Sequence, residues 1–380
     1  MQIWIDQPEP DDTPECRAAL PLRFGPSASV RDENAMPEGV RHEFISSERD
    51  VDELPSRHES RPIAEFPISF RSLSRVRSAL PFEYWRPKAR SASGVRPSFS
   101  GMQDKVCCVL ERTDEEFVLR APDQTRERGN VILKPAWGAN NIRIGINEAF
   151  CMTFSALCGD TMPRIGLAPY GFDRRFPQAH YFVERFDTEP GAEFVTVNEF
   201  LGQETDRRGQ VPLPDVLAEL APVLDDGDWN LLMKRLVVSF LVGNGDLHLK
   251  NLSLRLRPRN DGTLAVSLAP SYDVVSTTVL GDGELFALPM EKHFDDLPLN
   301  ERNRCAFREF INLLQNYADT DDVLQITARA ARNAGAAESI VMDATTRDAY
   351  PEKYLTSVRS HLELIAKLAA RRAATLAENL

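Results

Sequence analysis

The most informative segment of the sequence is Gly243-Asn244-Gly245-Asp246-Leu247-His248-Leu249-Lys250-Asn251. It lies between an apolar stretch predicted to be a helix and a predicted strand, and its glycines permit an irregular turn. Asp246 and Asn251 have the D-x-x-x-x-N spacing of a phosphotransferase catalytic loop, where the aspartate orients the acceptor hydroxyl and the asparagine binds Mg²⁺. This spacing is common by chance. The alternative interpretation is a capped turn with a solvated Asp246 and a packed His248.

Three features outside this loop favour the catalytic interpretation. Lys134 ends the apolar strand Val131–Lys134, as the lysine of V-A-I-K does in kinases, where it contacts phosphates. Glu148 opens the next predicted helix and can pair with Lys134; alternatively it only stabilises the helix N-terminus. Asp273 follows a predicted hairpin that returns the chain towards Asn251, so the two side chains supply oxygen ligands for Mg²⁺. The order of these residues predicts ATP and Mg²⁺ as cofactors.

Two weaker motifs suggest where the nucleotide binds. The segment Ser98–Lys105 precedes a strand and is the candidate phosphate-covering loop, although it contains only one glycine. The segment Val183–Asp187 ends the strand region and is a candidate hinge beside adenine; equally, Phe186 belongs to the core at a strand end. The candidate ATP-binding residues are Gly101, Met102, Gln103, Lys105, Lys134, Glu148, Glu184, Phe186 and His248.

The rest of the pattern predicts an α+β fold, with a β-rich lobe followed by a helical lobe and a cleft between them. The predicted strands are Lys105–Glu111, Glu116–Ala121, Val131–Lys134, Gly166–Phe172 and His180–Arg185, with a later hairpin of Leu252–Arg257 and Leu264–Leu268. The predicted helices are Asn147–Leu157, Val197–Leu201, Leu213–Leu220, Trp229–Leu241 and most of the C-terminal third. In the last helix an apolar stripe runs from Leu355 to Ala369 and predicts core packing.

Charge is distributed unevenly along the 380 residues, whose net charge is -12. Residues 1–60 have a net charge of -8 and seven prolines, which predicts an extension that is disordered or loosely docked. Residues 61–97 form a basic segment with interleaved aromatic residues, which suits an acidic partner or phosphates; a solvated face is the alternative. The net negative charge of the chain excludes a protein that binds nucleic acid along its entire surface.

The composition also bears on location. No uncharged stretch approaches the about 20 residues that a membrane-spanning helix needs. The first residues, MQIWIDQPEPDD, are acidic where a secretory signal is basic. The six cysteines contain no C-x-x-C pair. We therefore expect a cytoplasmic protein with reduced thiols and no membrane partner.

Together these motifs resemble those of one family. S-x-x-G-x-Q-x-K, ILKP, NE, VERFD, GDLHLKN and SYDVVST occur together in the HipA-type serine/threonine kinases, the toxins of bacterial toxin–antitoxin modules. The resemblance extends from about Ser98 to Phe294, with Leu247 in place of the usual glycine. It implies a bilobed fold similar to phosphatidylinositol kinases, with a β-rich lobe over residues 98–190 and an all-helical lobe over residues 191–380. It also implies catalytic roles for Asp246, His248 and Lys250.

The resemblance further implies substrates and partners. Residues 1–97 lack the motifs of the N-terminal HipA subdomain, so the chain looks more like the shorter HipT-type kinases. Ser98 and Ser100 then correspond to autophosphorylation sites; alternatively they only shape a polar turn. The implied substrate is an aminoacyl-tRNA synthetase. The implied partners are a helix-turn-helix HipB-like repressor, which associates the kinase indirectly with DNA, and a small HipS-like protein.

Two other functions stay open at this point. One is a nucleotide-binding pseudokinase or scaffold that holds a DNA-binding antitoxin, although the intact Asp246, Asn251 and Asp273 argue against it. The other is a small-molecule phosphotransferase, because sugar and antibiotic kinases share the D-x-x-x-x-N arrangement.

Overall fold

A computed structural model describes residues 76–78, 105–112, 117–123, 129–135, 143–169, 179–202, 211–291, 297–346 and 350–380. Its strands are β1 (Val76–Ser78), β2 (Val106–Arg112), β3 (Phe117–Arg120), β4 (Val131–Lys134), β5 (Ile165–Pro169), β6 (Ala179–Glu184), β7 (Glu193–Thr196), β8 (Ser253–Pro258) and β9 (Leu264–Leu268). Its helices are α1 (Ile144–Leu157), α2 (Val197–Phe200), α3 (Leu213–Leu220), α4 (Asp226–Val242), α5 (Thr277–Leu280), α6 (Leu299–Tyr317), α7 (Thr320–Thr346) and α8 (Glu352–Asn379). A short 3₁₀ helix covers Leu249–Asn251.

The N-terminal part is a six-stranded sheet in the order β1-β3-β2-β4-β6-β5. All neighbouring strands are antiparallel except β1 and β3, which are parallel. Strand β1 also lies beside β5, so the sheet is curled. One of its faces encloses a small apolar core that includes Leu119, Leu133 and Phe182. This arrangement holds the end of β4, and therefore Lys134, at the centre of the sheet.

Helix α1 connects the sheet to the helical part of the chain. It packs on β5 and β6 and also contacts α4, α7 and α8. Its residues from Gly145 to Ser155 are all buried, as expected for a helix covered on every side. Its start is one turn earlier than the predicted Asn147. Glu148 therefore lies inside the first turns of a buried helix, not at an exposed end.

The helical part is built around α4, α6, α7 and α8. Helix α4 begins at the N-cap Asp225, whose side chain accepts a hydrogen bond from the Asp228 N–H, and it ends at the left-handed Gly243. The stripe predicted in the last helix is confirmed, since Val358, Leu362, Ile365 and Ala369 are buried in the main apolar core. Helix α8 packs along α7 and against α4.

The α+β fold class is confirmed. The expectation that the second lobe is all helical is wrong. Strand β7, which the sequence did not predict, pairs with β8 of the predicted hairpin to form a three-stranded sheet in the order β7-β8-β9. The cause is burial: Leu254 and Leu256 of β8 point into the main core, and β7 hydrogen-bonds the strand edge that the hairpin leaves open.

Several predictions fall partly or wholly outside the described residues. These include the acidic extension 1–60, all of the basic segment 61–97 except β1, the end of the strand predicted to reach Phe172, and the division of the chain at residue 190, which stays a prediction. Ser98, Ser100, Gly101, Met102 and Gln103 also lie outside the described residues. In the part of the chain that is described, no helix is both long and apolar enough to cross a bilayer.

Candidate active site

Lys134 forms a buried ion-pair cluster with carboxylates from two different elements. Its Nζ lies 2.5 Å from Oε1 of Glu148 on α1 and also contacts Oδ1 of Asp273. Lys134 is 2% exposed and Glu148 is fully buried. The predicted ion pair between Lys134 and Glu148 is therefore present, and Asp273 joins it from the segment after β9.

Lys105 provides a second positive charge at the same carboxylate. Its Nζ donates to Oδ2 of Asp273 at 2.7 Å, so each carboxylate oxygen of Asp273 contacts one lysine. Asp273 has a φ of 55° and is the one non-glycine residue with positive φ among the described residues. Such a conformation costs free energy unless surrounding contacts hold it. The sequence suggested a phosphate-binding role for Lys105 but not this contact.

Electrostatics keep Lys134 and Asp273 charged, whereas burial, only partly offset by Lys134, raises the pKa of Glu148 to about 7. Burial by itself lowers the pKa of Lys134, but Asp273 and Glu148 outweigh it and hold that pKa above its usual value. Burial by itself raises the pKa of Asp273, but Lys134 and Lys105 outweigh it and hold that pKa below its usual range. The ammonium of Lys134 also lies 5.6 Å from the centre of the Tyr181 ring. Two lysines and an ionised aspartate at neutral pH can receive a polyphosphate with its cation.

The predicted catalytic loop is held by hydrogen bonds to its own backbone. The Asp246 carbonyl accepts from the His248 N–H at 2.9 Å and from Nδ2 of Asn251 at 2.8 Å. The Asp246 N–H donates to Oδ1 of Asn244 at 3.1 Å. The Asp246 side chain is 58% exposed, and one of its oxygens lies 3.6 Å from Nε2 of the largely buried His248. The loop therefore presents one carboxylate to solvent on a fixed backbone.

Tyr272 connects this loop to the Lys134 cluster. Its hydroxyl donates to the carbonyl of Lys250 at 2.7 Å and accepts from the Ser253 hydroxyl at 2.6 Å. Because Tyr272 precedes Asp273 and Lys250 precedes Asn251, this contact joins the two segments that carry the predicted metal ligands. The Tyr272 hydroxyl therefore holds the two segments at a fixed separation, while the catalytic role of the loop stays a prediction.

The glycine at the start of the loop is fixed by the segment after Asp273. The Gly243 carbonyl accepts from the Thr278 N–H at 3.1 Å and from the hydroxyls of Thr277 and Thr278. The Thr277 hydroxyl in turn accepts from the Gly245 N–H at 2.9 Å. Thr277 ends the SYDVVST motif and Thr278 follows it, yet sequence reasoning assigned neither a role.

Asn147 fixes the same segment from the other side. Its Oδ1 accepts from the Ser276 N–H at 2.7 Å, and its Nδ2 donates to the Ser276 carbonyl at 3.1 Å. The asparagine next to Glu148 therefore holds the backbone that follows Asp273. Its position in the motif NE was the signal that could have identified it.

The hinge candidates Glu184 and Phe186 lie at and just after the end of β6. Their side chains contact other residues of the protein. Both carboxylate oxygens of Glu184 contact Arg164, with Nε to Oε2 at 2.6 Å. The Phe186 ring packs against Phe194 and Tyr272, with ring centres 5.3 and 5.6 Å apart. Their predicted contact with adenine stays a prediction.

The donor set suits Mg²⁺ better than a softer metal. No group of three or more histidine, cysteine, aspartate or glutamate side chains converges on a metal position in the described ranges. Asp273 supplies a carboxylate. Asn251 uses its Nδ2 in the loop, while its Oδ1 accepts no hydrogen bond from the described residues. One carboxylate and one amide oxygen are enough for a hard cation that also binds phosphate oxygens and water.

Comparison with known families gives a match over residues 97–347 to the model described as the HipA-like C-terminal domain. This range covers most of the chain and includes Lys105, Lys134, the predicted catalytic loop and Asp273. The chain belongs to the HipA-like C-terminal domain family. Helix α8 lies beyond the matched residues.

Two curated relatives of this HipA-like chain are similar at low identity. One is the "Putative kinase" of Haemophilus influenzae, 26% identical over 229 residues, which are 56% of this chain and 63% of the relative. The other is the "Putative kinase Y4dM" of Sinorhizobium fredii, 32% identical over 152 residues, which are 36% of this chain and 35% of the relative. The chain thus spans less than two thirds of the length of each relative.

Two solved structures have lower sequence identity to this chain than the curated relatives have. HipA of Shewanella oneidensis, in a complex with HipB and its operator DNA, aligns with a TM-score of 0.46 and 17% identity, over 78% of this chain and 67% of that chain. The proinflammatory kinase CtkA of Helicobacter pylori aligns with a TM-score of 0.38 and 15% identity, over 71% of this chain and 94% of that chain. The family assignment rests on the sequence match alone.

Proposed function

We propose that this protein is an ATP- and Mg²⁺-dependent serine/threonine kinase of the HipA type. The observation that carries the proposal is the convergence of Lys134, Glu148 and Asp273 beside a loop that exposes Asp246. In a member of the HipA-like family, a buried lysine paired with a glutamate, together with two aspartates, provides the groups that phosphoryl transfer uses.

The roles follow from charge and exposure. Lys134 and Lys105 bind the nucleotide phosphates through their ammonium groups, and Glu148 fixes the position of Lys134. Asp246 faces solvent and accepts the proton of the substrate hydroxyl, or orients that hydroxyl. Asn251 and Asp273 would hold Mg²⁺, which when bound neutralises charge on the phosphates.

Purified protein incubated with ATP and MgCl₂, followed by phosphopeptide mass spectrometry, tests the proposal. We expect phosphate on serine or threonine with the wild type, and a loss of about 100-fold or more in Asp246→Asn, because the amide cannot accept the proton. Asp261→Asn is the matched control: Asp261 is exposed in the β8–β9 turn and bonds only within that turn. An Asp246→Asn variant that retains wild-type transfer contradicts the proposal.

The same assay separates the other candidate functions. ATP binding without transfer to any protein would indicate a pseudokinase or scaffold. Transfer to sugars or aminoglycosides but not to proteins would indicate a small-molecule phosphotransferase. The proposed mechanism requires that phosphate is transferred to a serine or threonine of a protein.

We further propose that the protein is the toxin of a HipT-like module. An aminoacyl-tRNA synthetase is its proposed substrate, and its phosphorylation would stop translation and growth. A HipB-like repressor and a small HipS-like protein are the proposed antitoxins; the HipB complex of the Shewanella oneidensis HipA supports the former by analogy. Induced expression should arrest growth with the wild type and not with Asp246→Asn.

Ser98 and Ser100 are the proposed autophosphorylation sites. A phosphate adds about -1.5 to -2 charges, which would repel nucleotide phosphates from the candidate phosphate-covering loop. Mass spectrometry of Ser98→Ala, Ser100→Ala and the double variant after incubation with ATP should show loss of the corresponding phosphopeptides. Phosphate elsewhere, with none on these serines, would contradict this assignment.

A further inference from the structure

Helix α8 reaches the candidate site through two buried polar side chains, His361 and Arg372, that interrupt its apolar stripe. They are 2% and 5% exposed. Both act on the segment Ser276–Thr278, which lies between Asp273 and the rest of α5. The family match ends at residue 347, so neither residue belongs to the matched region.

Arg372 is a buried cation whose partners are neutral. Its guanidinium donates to the Phe240 carbonyl at 2.6 Å and to the Thr278 hydroxyl at 3.3 Å, and lies 5.2 Å from the centre of the Phe240 ring. Among the described residues it contacts no carboxylate. Burial lowers its pKa to about 10, which reflects the cost of placing this charge inside the protein.

The position of Arg372 explains what offsets that cost. The Phe240 carbonyl, which also accepts from the Gly243 N–H at 3.1 Å, is one of the last in α4, where the helix dipole favours a positive charge. The Thr278 hydroxyl that Arg372 contacts also donates to the carbonyl of Gly243, the first residue of the catalytic loop. Leu368 of α8 packs over the same glycine. Arg372 thus contacts both the end of α4 and the threonine that fixes the loop.

His361 reaches the other end of the same segment. Its Nε2 lies 3.2 Å from Nδ2 of Asn147, the residue that holds the Ser276 backbone on both sides. Because Asn147 is the donor, Nε2 must be the acceptor, and the ring is neutral. The next residue along α1 is Glu148, which pairs with Lys134.

We propose that α8 sets the geometry of the active site, with Arg372 and His361 as positioning residues for the catalytic loop and the segment after Asp273. The expected effect on kcat rests on the proposed function. The expected effect on the backbone of these two segments does not. A purely structural role would be met by an apolar side chain at either position, since both lie within the main apolar core. The polar contacts converge on the loop and on the segment after Asp273.

Hydrogen exchange and kinetics on the full chain test this proposal. In Arg372→Gln we expect faster amide exchange in residues 243–251 and 274–278, with the protection of α7 unchanged. We expect kcat to fall roughly tenfold to hundredfold, because small displacements of catalytic groups are costly, while the KM for ATP changes less. Arg372→Lys should restore part of kcat, since it keeps the charge at the end of α4.

Matched variants separate positioning from general destabilisation. Arg371→Gln makes the same change at the exposed neighbouring residue and should leave exchange and kcat unchanged. Thr278→Val removes both the contact with Arg372 and the Thr278 hydrogen bond to Gly243, and should accelerate exchange in the same two segments. If Arg372→Gln does not fold, Arg372→Lys decides the question, because it alters only the α8 side of this contact; exchange equal to wild type in that variant would then count against the inference.

Unchanged exchange and kcat in both Arg372→Gln and Thr278→Val would overturn the inference, as would uniform acceleration of exchange across all helices. A wild-type protein that transfers no phosphate would instead defeat the proposed function, and the exchange pattern would still test the role of α8.

Discussion

Lys134 is the residue on which the site depends, because it holds carboxylates from two separate elements in one buried cluster. The sequence predicted its pairing with Glu148, since a lysine at a strand end and a glutamate on the next helix have a local relationship. It did not predict that Lys105 would contact Asp273. These residues are 168 positions apart, and only the packing of the lobes brings them together.

Removing Lys134 should leave the buried carboxyl of Glu148 without its partner. In Lys134→Met, Glu148 loses its ion-pair partner, and we expect the free energy of unfolding to fall by about 3–5 kcal/mol. The double variant Lys134→Met/Glu148→Gln should be more stable than Lys134→Met alone, because the buried carboxyl of Glu148 is gone and Asp273 still pairs with Lys105. Urea denaturation of the wild type, both single variants and the double variant measures this coupling. Additive losses from the two single changes would contradict a direct interaction.

The end of α4 shows how an element positions the chemistry. Gly243 terminates the helix with a φ of 72° and opens the proposed catalytic loop, and a Cβ at this position would lie 2.6 Å from the Thr278 hydroxyl. Backbone conformation and lack of space therefore both require glycine here. The residues that enforce this close approach come from α5 and α8, so the helix end, the loop and the segment after Asp273 form one unit.

Two glycines with similar backbone angles allow these effects to be separated. Gly262, in the β8–β9 turn, has a φ of 84° and nothing near its missing Cβ. Gly262→Ala should cost about 1–2 kcal/mol of stability from backbone strain alone and leave activity unchanged. Gly243→Ala should cost more and also lower kcat, because Thr278 must move. Thermal unfolding and kinase assays of both variants make the comparison; equal effects would contradict it.

Elements with strong patterns were predicted well, and those defined by tertiary contacts were not. Helix α3 and strands β4 and β9 have the predicted bounds. Strand β7 was missed because it is short and half-exposed, and it exists only by pairing with β8. In the site, side chains within known motifs could be predicted from the sequence. Tyr272, Thr278 and Arg372 could not, because their roles depend on hydrogen bonds to backbone carbonyls, which leave no sequence pattern.

Across the whole molecule, stability should depend on pH through histidines that are buried in neutral form. Burial, with a smaller contribution from Arg143, lowers the pKa of His361 to about 4, and burial lowers that of His180 to about 3. In the unfolded chain such groups titrate near pH 6.5. Their contribution to stability is therefore fully present above pH 6.5 and is lost as the pH falls towards 4.

Comparison of wild type with His361→Gln should isolate this effect. Glutamine keeps an acceptor for Asn147 but cannot take up a proton. The wild-type free energy of unfolding should fall more steeply between pH 6.5 and pH 4 than that of the variant, by at most about 1.4 kcal/mol per pH unit. Urea denaturation at a series of pH values provides the measurement. Parallel curves would show that His361 is not the group responsible.

The spacing of the Lys134 contacts along the chain has a consequence for folding. Glu148 is 14 residues from Lys134, whereas Asp273 is 139 residues away. Contacts between distant residues require closure of a large loop before they contribute stability, so they form late. The lysine and glutamate can pair as soon as the sheet and α1 form, but Asp273 arrives only with the second lobe. The cluster that the proposed phosphotransfer needs is therefore complete only once both parts of the chain have folded.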